Sequence, residues 1–378
     1  MRLLEIPTAP FREHAVIDHV SRVCRRAGIA YFSDPTGNII VGARDRAHYR
    51  RLLATRSKEP VRVFISHMDH PGFHGVRWLG RNRLAAQWHG GSPVRHLRGA
   101  DLWIADATGY VGKGHISTAK IHKAGYAITD MTIRVDDTAV RERDADSLFG
   151  GFGFRRPVWC SGRRVYTKAA DDLVGVFAIL ETARELKRAR SRAPFLGLLT
   201  RGEEVGFVGA VDHFRLGWLT RGAKRPVVCV SLETSRTLPG ALIGKGPVVR
   251  LGDRRTVFDP AGLGVLSDLA ERRLPGRHQR RIMDGGSCEA TAATAWGLPS
   301  IGMSVPLGNY HNQGFEGGPD CRRPEGPAPE LVHLDDVDGL LELCGGLMQP
   351  HLAWNDAWAV TRKRLTKNAD DMRRLLDL

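Results

Sequence analysis

Four short apolar segments, each leading towards acidic residues or histidine, constrain this chain more than any other feature of its sequence. The segments are Val61–Ser66, Phe195–Thr200, Val227–Leu232 and Ser300–Val305. Each is rich in Val, Ile, Leu and Phe and is bounded by Gly, Pro or charge, which is typical of buried parallel strands. Parallel strands need helical crossovers. The sequence therefore predicts an α/β fold with a mixed, mostly parallel sheet flanked by helices.

The stretch between about His74 and Ser161 differs from the rest of the chain. Helical periodicity fades, Gly recurs, and short strands such as Asp101–Ala105 and Met131–Val135 alternate with turns. This spacing is typical of a small barrel or sandwich. A chain of 378 residues also exceeds the usual limit of one compact core. We therefore expect an α/β unit in two parts, 1–73 and 162–378, with an inserted small all-β, barrel-like domain at 74–161.

Apolar residues at helical spacing predict helices on both sides of this insert. The first helix runs from about Arg12 to Ala27, and the longest, Leu173–Arg190, follows the insert. Shorter candidates are Val211–Phe214, Gly264–Arg273, Cys288–Trp296 and Val337–Met348. The charged segment Asn355–Leu378 is also expected to be helical and to pack on the outside.

The composition excludes several classes of protein and leaves one question open. No apolar run reaches about 18 residues, so we expect no transmembrane helix, and the first residues lack the apolar core of a signal peptide. The six cysteines are scattered without a C-x-x-C pair, so neither a disulfide framework nor a cysteine zinc site is indicated. The net charge of +15 fits an Arg-rich solvated surface or a nucleic-acid or membrane partner.

The residues that follow the predicted strands have the chemistry of a ligand site. His67 and Asp69 follow the first strand, Glu203 and Glu204 the second, Glu233 the third, and His311 comes shortly after the fourth. Ligand sites in open α/β sheets lie beyond the carboxyl ends of the strands. We therefore expect these side chains to build one site, together with Asp171 of the pair Asp171-Asp172 before the long helix.

Each element of this set also has a structural explanation when taken alone. Asp171-Asp172 fits a helix N-cap, Glu203-Glu204 fits a solvated acidic turn, and a lone His311 fits a packing role. As a solvated turn, Glu203-Glu204 would need no partner. In a closed site the two adjacent carboxylates repel each other and need cations or a proton. The other histidines of the region around His67 (His70, His74, His89 and His96) have no comparable partner and are expected to be surface or packing residues.

Several motifs occur in the order typical of one enzyme family. They are the H-x-D of His67–Asp69, the Asp171-Asp172 pair before a helix, the E-E-x-G-x-x-G-A of Glu203–Ala210 and a late histidine, His311. With these motifs the chain resembles the dinuclear-metal aminopeptidases of the tetrahedral, glutamyl and deblocking aminopeptidase type. The resemblance spans roughly Leu3 to Met348. It implies a zinc-peptidase-like fold in which the β insert is a regulatory or dimerisation barrel.

The resemblance also implies a role for each site residue. One metal ion would be held by His67, Asp171 and Glu233, and a second by Asp171, Glu204 and His311. Glu203 would be the general base for the metal-activated water, and Asp69 would orient His67. Glu233 departs from the family pattern, which usually has Asp there. The resemblance implies two divalent ions per chain, with zinc as the first choice. His and carboxylate ligands also suit cobalt or manganese.

The function implied by the resemblance is removal of N-terminal residues from peptides. The open alternatives are a metal-dependent deacylase or amidohydrolase of the same superfamily, or a basic binding protein on a hydrolase fold. The expected partners are peptides with a free N-terminus and further copies of the chain, bound through the inserted domain. We expect no nucleic-acid or membrane partner, and a cytoplasmic location.

Overall fold

The computed structural model describes residues 1–376. Its strands are β1 (Tyr31–Ser33), β2 (Ile39–Val41), β3 (Val61–His67), β4 (Gly72–Gly80), β5 (Arg83–His89), β6 (Asp101–Asp106), β7 (Gly109–Ile121), β8 (Ile128–Val135), β9 (Phe149–Phe152), β10 (Val158–Ser161), β11 (Arg164–Thr167), β12 (Phe195–Thr200), β13 (Val227–Arg236), β14 (Val248–Asp253), β15 (Gln279–Met283), β16 (Ser300–Leu307) and β17 (Glu330–His333).

The α-helices are α1 (His14–Ala27), α2 (Arg46–Ala54), α3 (Thr138–Arg141), α4 (Leu173–Arg188), α5 (Val208–Arg215), α6 (Pro260–Arg273), α7 (Glu289–Ala295), α8 (Leu334–Leu347) and α9 (Ala359–Met372), with short 3₁₀ turns at Ala145–Ser147, Tyr310–Asn312 and Arg373–Leu375.

The main sheet has eight strands in the order β1-β2-β12-β3-β13-β16-β14-β15. Its centre, β12-β3-β13-β16, is parallel, whereas β2 and β14 join it antiparallel. The four apolar segments of the sequence are these four central strands, and each is buried along its full apolar run. The predicted mixed, mostly parallel sheet flanked by helices is confirmed.

Helices cover both faces of this sheet. One core lies between the sheet and helices α1, α4, α6 and α8, and a second lies between the sheet and α2, α5 and α7. Successive residues of β3 point alternately into these cores, since Phe64 belongs to the first and Val63 and Ile65 to the second. A strand buried on both faces has to be apolar throughout, which explains the continuous run.

The predicted β insert is a closed antiparallel barrel in the order β4-β5-β8-β7-β6-β9. It has its own core, which includes Phe73, Trp88 and Phe152. The barrel strands lie between Gly72 and Phe152, whereas β10 pairs with β11, and β11 with β17, in a separate sheet. The division of the chain at 73/74 and 161/162 stays a prediction.

The charged C-terminal segment forms α9, and none of the α9 residues is buried. The segment is therefore helical and on the outside, as expected, but α9 contributes no side chain to either core. Residues 377 and 378, where the predicted segment and the last domain end, lie outside the described residues. No helix among residues 1–376 is long and apolar enough to cross a membrane.

The start of α4 is packed against the end of β3 through Gly175. The N-cap Asp172 accepts hydrogen bonds from the Gly175 N–H at 3.2 Å and from the Ser66 hydroxyl at 2.5 Å. A Cβ atom on Gly175 would lie 2.2 Å from Asp172 Oδ2 and 2.7 Å from Ser66 Oγ. Only glycine therefore allows this contact, which sets the position of the neighbouring Asp171.

We predict that Gly175→Ala lowers the free energy of unfolding by about 1–3 kcal/mol through overpacking. The matched control is Gly345→Ala in α8, where a new Cβ would meet only Glu185 Oε2 at 3.5 Å. That change should be neutral or stabilising by up to about 1 kcal/mol. Denaturant unfolding of the two variants checks this, and equal stabilities would contradict it.

Candidate metal centre

The central strands bring the predicted site residues to one edge of the sheet. His67 ends β3 and is paired with Thr200 of β12. Thr200 precedes Glu203 by three residues. The β3–β13 ladder ends at the pair Ile65–Ser231, so His67 and Glu233 each lie two residues beyond it. Glu233 is part of β13, which continues to Arg236, rather than following the strand as the sequence indicated. All five predicted ligands meet at this edge in two groups with Asp171 in common.

Asp171 is at the centre of the site, and its two oxygens face different histidines. Oδ1 is 3.5 Å from Nε2 of His67, and Oδ2 is 3.6 Å from Nε2 of His311. Asp171 is 3% exposed, and its peptide bond to Asp172 is cis. A carboxylate with one oxygen towards each of two imidazoles has the geometry of a bridging ligand.

His311 is held in place by a tight turn. Nε2 of His311 is 3.1 Å from Oε2 of Glu204, and its ring stacks on that of Tyr310 with centroids 3.7 Å apart. Asn309, His311 and Asn312 all have positive φ, between 53° and 60°, a conformation that is uncommon for residues other than glycine. A Cβ atom on Gly91, two residues after β5, would lie 2.1 Å from Nδ1 of His311. The loop between barrel strands β5 and β6 therefore packs directly on this imidazole.

Asp69 acts on the site differently from the sequence-based expectation. Its carboxylate oxygens accept hydrogen bonds from the backbone N–H groups of Glu203 and Glu204, at 3.0 and 3.1 Å. His67 instead directs Nδ1 at the backbone carbonyl of Asp69, 3.0 Å away, and the Asp69 carboxylate is 3.8 Å from that nitrogen. A carbonyl only accepts, so Nδ1–H donates and Nε2 is left as a metal ligand. The Asp69 side chain positions the Glu203-Glu204 turn.

Two residues that no sequence pattern singles out as site residues, Glu330 and His70, support the candidate ligands from behind. Glu330 is fully buried in β17, and its carboxylate accepts the backbone N–H groups of Ala170, Asp171 and His311. It therefore ties together the two loops that carry Asp171 and His311. His70 is also buried, and its Nδ1 lies 2.8 Å from the carbonyl oxygen of Asp171.

His70 thus supports the site, which corrects the expectation of a surface or packing residue without a comparable partner. Burial lowers the pKa of His70 to about 3, so its ring is neutral at neutral pH. A neutral ring that donates through Nδ1 holds the Asp171 loop without adding positive charge next to a metal site.

A third carboxylate, Glu289 at the start of α7, joins Glu203 and Glu233. Glu289 is fully buried; Oε1 accepts the hydroxyl of Thr200 at 2.7 Å, and Oε2 has no partner among the described residues. Arg250 is the neighbouring cation, with Nη1 4.0 Å from Oε1 of Glu233. The sequence places Glu289 in a separate predicted helix, so only the folded chain shows that it belongs here.

Burial and mutual repulsion dominate the electrostatics of this edge. Burial raises the pKa of Glu203 and of Glu233 well above the ordinary range, and neighbouring carboxylates add to the effect. Burial alone would lower the pKa of His67, but the charges of Glu203, Asp171 and Asp69 outweigh it and raise the pKa well above its usual value. The site therefore has more negative charge than the protein itself neutralises.

The unsatisfied oxygens show that the donor set fits divalent ions. Oδ1 of Asp171, Oε1 of Glu204 and Oε1 of Glu233 are buried without a hydrogen-bond partner in the described chain. Such orphaned acceptors cost free energy unless something binds them. In each predicted triad, His67–Asp171–Glu233 and Asp171–Glu204–His311, the ligand atoms lie within 4.8 Å of one another. Nitrogen and oxygen ligands in this arrangement suit zinc and similar ions.

Residues 51–314 match the family model of the M42 glutamyl aminopeptidases. The chain belongs to this family. The match covers the barrel, the parallel strands and every predicted site residue. It places the protein among peptidases, and with them among hydrolases, and supports a metal-dependent aminopeptidase. The family resemblance predicted from the motifs is thereby confirmed.

Two solved structures with the same fold are distant in sequence. The aminopeptidase APDkam598 of the archaeon Desulfurococcus kamchatkensis is 21% identical, with a TM-score of 0.71 over 93% of this chain and 94% of that one. The TET1 peptidase of Pyrococcus horikoshii, which can assemble into a tetrahedron or a large octahedral shell, is 20% identical with a TM-score of 0.69 over 92% and 98%. These structures establish the fold.

We predict that Asp69→Asn weakens metal binding about 10–100-fold, the usual effect of removing a group that orients ligands. The new amide NH₂ would face an N–H of Glu203 or Glu204 and move their turn. Metal titration by calorimetry measures this, with Asp45→Asn at the exposed N-cap of α2 as the matched control. Equal affinities of the two variants would show that the turn does not depend on Asp69.

Metal binding should release protons at pH 7. The raised pKa values of the proposed ligands Glu233 and His67 favour protons on the metal-free site, and these protons leave when the two side chains bind a cation. Affinity should therefore rise with pH and fall as the ligands protonate. Calorimetry in buffers of different ionisation enthalpy counts the released protons; an enthalpy that does not change with the buffer would disprove the release.

Proposed function

We propose that this protein is an exopeptidase that removes N-terminal residues from peptides, with two divalent ions and Glu203 as general base. The observation that carries the proposal is the pair of ligand triads that share Asp171, with one Asp171 oxygen directed at each imidazole. One triad is His67, Asp171 and Glu233, and the other is Asp171, Glu204 and His311. Zinc is the ion we propose first, with cobalt and manganese as alternatives.

Two divalent ions held there would polarise the scissile carbonyl and lower the pKa of the attacking water. The other steps belong to the side chains. Glu203 is better exposed than Glu204, with 10% against 4% of its side chain accessible, so it is the carboxylate that water and substrate reach. It takes the proton of the attacking water and delivers it to the leaving amine.

The acid-rich edge also explains the choice of a free N-terminus. Glu203 and Glu289 lie beside the ligand Glu233 and are not themselves among the proposed ligands, so the metal ions do not take up their negative charge, which attracts the α-ammonium group of a peptide. An N-acetylated peptide lacks that charge. This argument favours an aminopeptidase over a deacylase of the same superfamily.

Assembly is proposed from the relatives. The structure of PhTET1-12s, 20% identical with a TM-score of 0.72 over 92% of this chain and 97% of that one, is described as a dodecamer. We propose that this chain also forms a homo-oligomer, through its inserted barrel. A cytoplasmic location is likewise proposed.

The decisive experiment is hydrolysis of aminoacyl-nitroanilides and their N-acetylated forms by metal-stripped protein supplied with zinc, cobalt or manganese. We expect metal-dependent cleavage of the free-amino substrates alone. Cleavage confined to the acetylated substrates would instead establish a deacylase. Bound metal without any cleavage would favour a basic binding protein on this fold, and its nucleic-acid binding should then weaken steeply with salt.

Glu203→Gln should lower kcat about 10²–10⁴-fold without loss of bound metal. Glu204→Gln, the adjacent change, should instead lose metal, and Glu342→Gln on α8 should change neither. Metal content by elemental analysis distinguishes Glu204→Gln from the other two variants, and kcat distinguishes Glu203→Gln from Glu342→Gln. Retention of full activity by Glu203→Gln would refute its role as base.

A further inference from the structure

A large cavity lies between the barrel and the α/β unit. Its volume is about 1470 Å³, and it is lined by barrel strands β6 and β7, by residues 152–157 and by the loop 320–327. Asp101 and Arg322, both in its lining, form an ion pair at 2.6 Å from one unit to the other, and Arg95 and Glu325, outside the lining, form a second at 3.0 Å. Cavities at such junctions are frequent ligand sites.

The lining of this cavity is strongly basic. Seven lysine and arginine residues line it against four aspartates. The aspartates already accept hydrogen bonds; Asp101 is bonded to Arg322, Asp320 to Arg155, Asp136 to His115, and Asp137 to a backbone N–H. In contrast, the side chains of Arg98, Arg156 and Arg323 make no ion pair or hydrogen bond to any residue of the described part of the chain.

Lys168 is the one lining cation that is buried. It is 3% exposed, and its ammonium group donates to the carbonyl oxygen of Ile6 at 2.6 Å and lies 5.3 Å from the ring centroid of Trp103. Within residues 1–376 no carboxylate lies within 4.0 Å of its Nζ. An ammonium has three N–H donors, so two remain without a protein acceptor.

A buried cation without a counter-ion is costly. Burial lowers the pKa of Lys168 to about 7, against the charge of Glu330, which raises it. An anion in the cavity would accept hydrogen bonds from the two free N–H groups of Lys168 and stabilise the charged form of its ammonium group. The unpaired arginines at the rim would add attraction, which salt screens more strongly because they are exposed.

We propose that this cavity binds a multivalent anion with phosphate or carboxylate groups, with Lys168 at its floor and Arg98 and Arg323 at its rim. Drug-sized ligands fill pockets of about 300–1,000 Å³, so the space exceeds what a single phosphate needs. The metal centre is a separate site, built from other side chains. Binding of the anion therefore does not depend on peptidase activity.

Calorimetric titration of the full-length protein with tripolyphosphate, and separately with propane-1,2,3-tricarboxylate, tests the proposal against sodium chloride at equal ionic strength. Saturable binding of tripolyphosphate alone identifies phosphate as the ligand group, and binding of both extends it to carboxylates. Lys168→Met should weaken binding about tenfold or more, since a hydrogen bond to a charged group is lost. The matched control is Lys367→Met on α9, which removes the same charge and leaves the metal ligands intact. Any heat from chelation of the metal ions by the titrant appears in this control as well.

The double variant Arg98→Gln/Arg323→Gln tests the rim independently if Lys168→Met does not fold, as judged by circular dichroism. It should weaken binding and reduce its dependence on salt. Heats no larger than those of sodium chloride, or equal affinities of the Lys168→Met, Lys367→Met and double variants, would overturn the proposal.

Discussion

The concentration of buried negative charge at one edge of the sheet is the constraint on which the rest of the site depends. Asp171, Glu203, Glu204, Glu233 and Glu289 meet there, and carboxylates taken out of water repel one another strongly. The nearby imidazoles and Arg250 offset only part of this charge. Two further carboxylates, Asp69 and Glu330, are saturated by backbone N–H groups and fix the loops. The ligand oxygens that have no hydrogen-bond partner in the described chain therefore remain available to divalent ions, which would neutralise their charge.

The sequence was sufficient to predict the sheet and the grouping of the candidate ligands, because both follow local rules. A strand buried on two faces reads as a continuous apolar run, so β3 and β12 were predicted to within one residue. Parallel strands align their carboxyl ends, so the polar residues after them were expected together. The barrel was predicted from strand spacing and Gly content, but the side chain contacts of Asp69 were not, because the alternation of a strand does not extend into the turn that follows β3.

The supporting residues could not be predicted, because nothing near them in sequence marks them. Glu330 reaches Asp171 only because β17 pairs with β11, which aligns Glu330 with Thr167. Arg250 and Glu233 lie on strands separated by β16, and Glu289 reads locally as an ordinary residue in the first turn of a helix. Each contact depends on strand order and register, which a single sequence constrains weakly.

The contact between Gly91 and His311 joins the two units of the chain at the point where the chemistry is proposed to occur. His311 is held with positive φ in a turn that Glu330 fastens from below, and Gly91 leaves no room for its ring to move towards the barrel. The loop 320–327, which follows this turn, also forms one wall of the basic cavity, and Asn312 donates to the carbonyl oxygen of Lys168. The segment that carries the proposed ligand His311 is thus hydrogen-bonded to the backbone of Lys168 at the cavity floor, and it packs against the barrel at Gly91, so one turn contacts the barrel, the cavity and the ligand set.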